Sequence, residues 1–217
     1  MATRFTDDLR AAAGDQWTRI ITHKFTTELA AGIIPKRVLA TYLIQDHRFL
    51  DAFSVLLASM IAHTKTLSDR IPACQFLALI TGKENTYFER SFVALDLDQN
   101  HRDAVPNAEV TNRFIDLMIS KARSGSLGEM LAVLIVCEWT YLSWGQLVKE
   151  RTKRDDFVCY EWVDLHCGDY FAGVVEYLRG LLDQESQSMD SEEKGRCRQA
   201  FLAAVQLEED FFNYVYN

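Results

Sequence analysis

Proline and glycine are scarce: three and ten in 217 residues. So few breakers leave room for long helices, and most of them fall where a helix should stop. No useful length alternates apolar with polar residues, which removes strands. The five cysteines, at 74, 137, 159, 167 and 197, form no Cys-x-x-Cys pair. Ribbon-type zinc sites and thioredoxin-like chemistry are therefore not expected, and an odd set of free thiols fits a cytoplasmic chain. No Gly-x-Gly-x-x-Gly occurs, and Gly82-Lys83 lacks the upstream glycine of a phosphate loop. No histidine follows a glutamate by three positions, so the Glu-x-x-His pairs of di-iron bundles are missing. Asp98 and His101 have a related spacing but fall in an expected loop, so neither a metal nor another cofactor is expected.

Positive charge is also short, with 23 bases against 31 acids and a net charge of -8. Such a surface repels phosphate backbones, so no nucleic-acid partner is expected. The one basic run, Lys149 to Arg154, is followed by Asp155 and Asp156 and reads as a solvated helix end. Met1 to Arg10 carries Asp7 and Asp8 and no apolar h-region, so no signal peptide is expected there. The longest apolar run, Met130 to Cys137, is ended by Glu138, short of the roughly 20 residues of a membrane span.

What is present is core material: 48% apolar and 12% aromatic residues, enough for one domain over 1–217. The pattern predicts an all-α antiparallel bundle of about seven to eight helices. Helix one should run from Thr3 to Ala31, with Gly32 as its cap. Helix two follows from Pro35 to about Thr66. A third spans Ser68 to Thr81, with Pro72 in its first turn and Gly82 closing it, and a fourth covers Glu84 to Leu95. Asp96 to Ala104 reads as loop. Pro106 opens a fifth helix that ends near Gly125. Ser126 caps a sixth, which runs to Arg151. Asp156 to Gln184 is a seventh, and a last helix follows the turn at Ser188 to Ser191. The sixth is apolar on nearly every side from Leu127 to Trp144, which makes it central.

Three clusters put polar groups where a core should be apolar. Asp46, Phe49 and Phe53 share a helix face at i, i+3 and i+7, beside Gln45. A carboxylate there is costly unless paired; the ordinary alternative is a surface pair with Arg48 or a neighbouring helix. Cys137 and Tyr141 lie at i and i+4 on the most apolar helix, where a cysteine can be simply a small hydrophobe. Glu208 precedes Phe211 and Phe212 and is followed by Glu209 and Asp210. One of these three acids should turn inward, unless the group is ordinary acidic surface. Together, a thiol nucleophile, a general acid and an anchoring carboxylate among aromatics suit a flat nitrogen heterocycle held between helices.

Tyr42 to Phe53, Leu127 to Gly145 and Glu208 to Phe212 resemble, in order and spacing, three helices of the TenA/thiaminase II family. Trp17 with His23-Lys24-Phe25 resembles that family's first helix, and Trp162 through Gly168-Asp169-Tyr170-Phe171 its "W…GD.F" segment. The resemblance implies a heme oxygenase-like fold, a homotetramer or homodimer, and a cofactor-free hydrolase in thiamin salvage. Its small-molecule substrate would be an aminopyrimidine or thiamin derivative, cleaved between the ring and the substituent on its exocyclic methylene. By the same resemblance Cys137 is the nucleophile and Glu208 the acid. Asp46 binds the ring amino group and nitrogen, Phe49 is an aromatic wall, Tyr141 stands beside the thiol, and Phe211 belongs to the pocket. The sequence departs from the family pattern at Phe114 and His166, both usually tyrosine, and at Val136, usually proline and here followed by Glu138. His166 could replace a lost phenol and titrate near neutrality. An altered heterocycle preference follows from these departures. A related enzyme on a different nitrogen heterocycle or amide, a heme-binding protein with His23 as ligand, and a regulatory or ligand-binding protein are the alternatives on the same fold. Tyr214 and Tyr216 would either form a subunit interface or pack back on the bundle.

Overall fold

In the computed structural model, which describes residues 3–217, one helix organises the rest. It is α9, Leu127–Val148, in which eighteen residues are buried, from Gly128 to Val148. Ser126 caps it by accepting from the Glu129 amide at 3.3 Å. Around it pack α4 (Lys36–His63), α8 (Glu109–Ser124), α11 (Asp169–Glu185) and α12 (Ser191–Tyr214). By length and composition alone, Leu127–Arg151 is sufficient for a membrane span, so the run ending at Glu138 understates it. Most of that stretch is buried inside the bundle, and a core helix enclosed on all sides needs the same apolarity.

The expected helices are present, but several are divided. Helix one is three pieces, α1 (Phe5–Ala13), α2 (Asp15–Ile21) and α3 (Lys24–Ala30). The breaks fall at Gly14 and at His23, whose Nδ1 accepts the Phe25 amide at 3.1 Å and caps α3. Met1 and Ala2, within the N-terminal stretch read above, lie outside the described residues. Gly82 does not end a helix. α5 (Leu67–Leu79), with Pro72 inside it, passes through a π-helical turn at Ile80–Glu84 into α6 (Asn85–Ala94). The expected loop after Asp96 contains α7 (Gln99–Ala104), capped by Asp98 accepting the His101 amide at 2.7 Å. Pro106 lies before α8, whose cap position is Ala108, a residue with no capping side chain. Gln45 supplies the missing partners from α4. Its amide donates to the Pro106 carbonyl at 2.9 Å and accepts from the Ala108 amide at 3.0 Å and the Thr111 hydroxyl at 2.7 Å.

The expected seventh helix is α10 (Phe157–Leu165) and α11, parted at Gly168, whose φ of 100° is open to glycine and strained for other residues. The bend brings His166 against α9. There Gly145 leaves no room for a side chain, since a Cβ would stand 2.5 Å from the His166 carbonyl oxygen and 3.1 Å from its carbon. Gly145→Ala must therefore push two backbones apart. We expect it to destabilise the fold by about 2 kcal/mol, read as a lower denaturation midpoint; an unchanged midpoint would mean that this contact is slack. At the C-terminus Tyr216 packs back on the bundle. It hydrogen-bonds Glu28, with the Lys24 ammonium 3.6 Å from its ring centroid.

Candidate active site

Five elements converge on one pocket. α4 contributes Asp46, Phe49, Leu50 and Phe53, and the π-turn contributes Ile80 and Glu84. α9 contributes Cys137, Glu138 and Tyr141, and α12 contributes Glu208; Trp162 of α10 and His166 just after it complete the lining. A water molecule's centre can occupy about 30 Å³ of the space between these side chains. Each element turns these residues inward by its own periodicity: Cys137, Glu138 and Tyr141 fall within roughly 100° of arc on α9. The π-turn inserts one extra residue, a distortion often found at functional sites.

Asp46 is 4% exposed and makes no surface ion pair. Arg48 points elsewhere, donating to Asn107 and to the carbonyls of Arg102 and Val105. The Tyr42 hydroxyl, one turn earlier on α4, accepts from the Trp162 indole at 3.1 Å and shares a 2.7 Å hydrogen bond with the Tyr141 hydroxyl. Burial, then the neighbouring carboxyls Glu84 and Glu208, push Asp46 well above the ordinary carboxylate range.

Of the three consecutive acids, Glu208 turns inward, at 1% exposed. Glu209 pairs outside with Arg19 at 2.5 Å and Asp210 with Arg113 at 3.5 Å. Burial raises Glu208 to about 8, opposed by the neighbouring Cys137 thiol. Its Oε2 is buried without a partner among the described residues. Burial, Glu208 and Glu138 in turn drive Cys137 well above the usual thiol range.

His166 departs from expectation. Enclosure among Trp162, Tyr141 and Phe171, at ring distances of 4.3, 4.8 and 5.2 Å, removes its water. Burial lowers it to about 4, so it is neutral at pH 7 and does not titrate near neutrality. Its Nδ1 lies 2.8 Å from the Trp162 carbonyl, which fixes the proton there and leaves Nε2 as an acceptor.

Phe114 and Phe211 do not line the pocket. Both are fully buried behind Phe49, at ring distances of 5.5 and 5.6 Å, and brace it. His23 is not on the lining either; it stacks on Phe212 at 5.5 Å. Glu84 and Trp162 are lining residues that the sequence alone did not assign to the site, and Glu138 stood only as a departure from a family pattern. A glutamate following the cysteine of the most apolar helix was a usable signal for Glu138. Glu84 had none, because its position depends on the π-turn.

The chain is thus an all-α bundle whose core encloses a thiol, four carboxyls and aromatic walls. Residues 10–217 match the TENA/THI-4/PQQC family, and the chain belongs to that family. It is similar to an aminopyrimidine aminohydrolase of Halalkalibacterium halodurans, 24% identical over 98% of this chain and 96% of the relative. The aminopyrimidine aminohydrolase of Bacillus subtilis is 22% identical over 98% of this chain and 90% of its own. Among solved structures, a TenA homologue from Pyrococcus furiosus superposes with a TM-score of 0.87 at 22% identity, covering 98% of this chain and 100% of that one.

Proposed function

We propose that this pocket hydrolyses the bond between an aminopyrimidine ring's exocyclic methylene and the amine it carries, with Cys137 as nucleophile. The full-length relatives named aminopyrimidine aminohydrolase support the reaction class. The observation that carries the chemistry is that Cys137 and Glu208, both buried, line the same pocket. A carboxylate at Glu208 is placed to take the thiol proton.

Asp46, held neutral by burial, can donate to a ring nitrogen and accept from the adjacent ring amino group, matching an amidine edge. Phe49 is the aromatic wall beside it. Glu208 takes the thiol proton, the sulfur–carbon bond forms at the ring, and the displaced electron pair moves to the nitrogen held by Asp46. That pair returns to expel the amine from the methylene, and the departing nitrogen takes the proton from Glu208. Water then adds to the methylene and gives Glu208 a proton, with the pair again entering the ring. The sulfur leaves with its bonding electrons and recovers the proton. Water is consumed, an amine and a hydroxymethyl-pyrimidine are released, and thiol and carboxylate are restored.

Incubation of the purified protein with 4-amino-5-aminomethyl-2-methylpyrimidine should yield the hydroxymethyl-pyrimidine, followed by chromatography. Folded protein that forms none of it would overturn this reading.

A further inference from the structure

The reaction above uses Asp46 and Glu208 and leaves two carboxyls of the pocket without a task. Glu138 is 9% exposed, lines the cavity next to Cys137, and has no hydrogen-bond or ion-pair partner among the described residues. Glu84 reaches the same cavity from the π-turn, and it is the strongest charged neighbour of both Glu138 and Asp46. No lysine or arginine lines the space. Glu138 is buried and Glu84 half-buried, neither with a hydrogen-bond or ion-pair partner among the described residues, and carboxyls so placed cost stability.

We propose that Glu84 and Glu138 form a second carboxylate subsite, beside Cys137, that binds a protonated amine on the substituent of the bound heterocycle. An ammonium offers three donors and one positive charge, which is what two facing carboxyls lack. The subsite would distinguish an aminomethyl substrate from its hydroxymethyl product, which carries no charge, and so favour product release. It rests on the aminopyrimidine reading and extends it to the leaving group. The bound ammonium leaves one proton on a subsite carboxylate before the carbon–nitrogen bond breaks, the departing nitrogen takes the proton of Glu208, and the released ammonia takes the first proton back.

The test is calorimetric titration of the full chain carrying Cys137→Ser, which prevents turnover, with the aminomethyl- and the hydroxymethyl-pyrimidine in turn. The aminomethyl compound should bind at least about 10-fold more tightly, a difference of about 1.4 kcal/mol. Adding Glu84→Gln and Glu138→Gln should bring the two affinities within about 3-fold, chiefly by weakening the aminomethyl compound, as expected when an ammonium loses its carboxylate partners. Glu138→Gln alone should give part of the loss and serves if the combined variant does not fold. A preference that survives these changes, or is absent at the start, overturns the subsite. Turnover by the unsubstituted protein is read separately. Turnover without an ammonium preference removes the subsite and leaves the reaction standing. The preference without turnover does the reverse, and binding of neither compound removes both.

Discussion

Cys137→Ser should lower kcat for the aminomethyl-pyrimidine by at least about 10³-fold while the protein stays folded. The side chain is 6% exposed, and serine is close to it in volume, so the melting temperature should move by only a few degrees. The loss is chemical. In the proposed reaction the thiol passes its proton to the Glu208 carboxylate and becomes a soft, strong nucleophile, whereas an alcohol in the same place is far more basic and adds poorly to an aromatic ring. With ionised Glu208 as the proposed base, the rate with Cys137 present should rise as pH climbs toward about 8. Single-turnover assays from pH 6 to 9 give both results. A serine variant within 10-fold of the parent would remove the thiol from the mechanism.

Glu208→Gln should act in opposite directions on activity and stability. Turnover should fall by about 10²- to 10⁴-fold, the usual range for loss of an acid–base group. Stability at pH 8 should rise. The folded-state value is about 8 against an ordinary 4.5, so the folded protein retains a proton that the unfolded chain releases between those limits. The stability from that proton is complete below about pH 4.5 and is lost as pH rises through about 8. Glutamine cannot ionise and loses nothing over this window. The advantage of the variant should therefore be small at pH 5 and grow to as much as about 5 kcal/mol at pH 8 and above. Asp46, Glu84 and Glu138 are raised in the same direction and are common to both proteins, so the difference isolates Glu208. Thermal melts of both proteins from pH 5 to 9 measure the gap; curves that stay parallel would show that ionised Glu208 is not costly in the fold.

This conflict has a physical origin. A pocket that keeps carboxyls dry raises their proton affinity, which lets them move protons near neutral pH, and the same dryness weakens the fold. Tyr42 shows how such a site is held: its hydroxyl joins Tyr141 of α9 and Trp162 of α10, groups distant in the chain that fix α4 beside the pocket.

The sequence by itself determined the helical class and the central position of α9, and it marked Asp46, Cys137 and one of the acids at 208–210 as candidates for an inward face while leaving a surface or inert role open for each. Those features depend on periodicity and on uniform apolarity, which neighbours along the chain fix locally. It also marked Phe49 and Tyr141 as candidates, and both line the pocket. Only the tertiary structure decided what surrounds them. Whether Phe114 and Phe211 face the cavity or stand behind Phe49 depends on how α4, α8 and α12 pack. The neutrality of His166 depends on three aromatic rings closing over it after the Gly168 bend. Glu84 enters the site only because one extra residue in a π-turn rotates it inward. Ionisation and pocket membership follow from burial and from groups brought together across the fold, and no spacing along one helix encodes them.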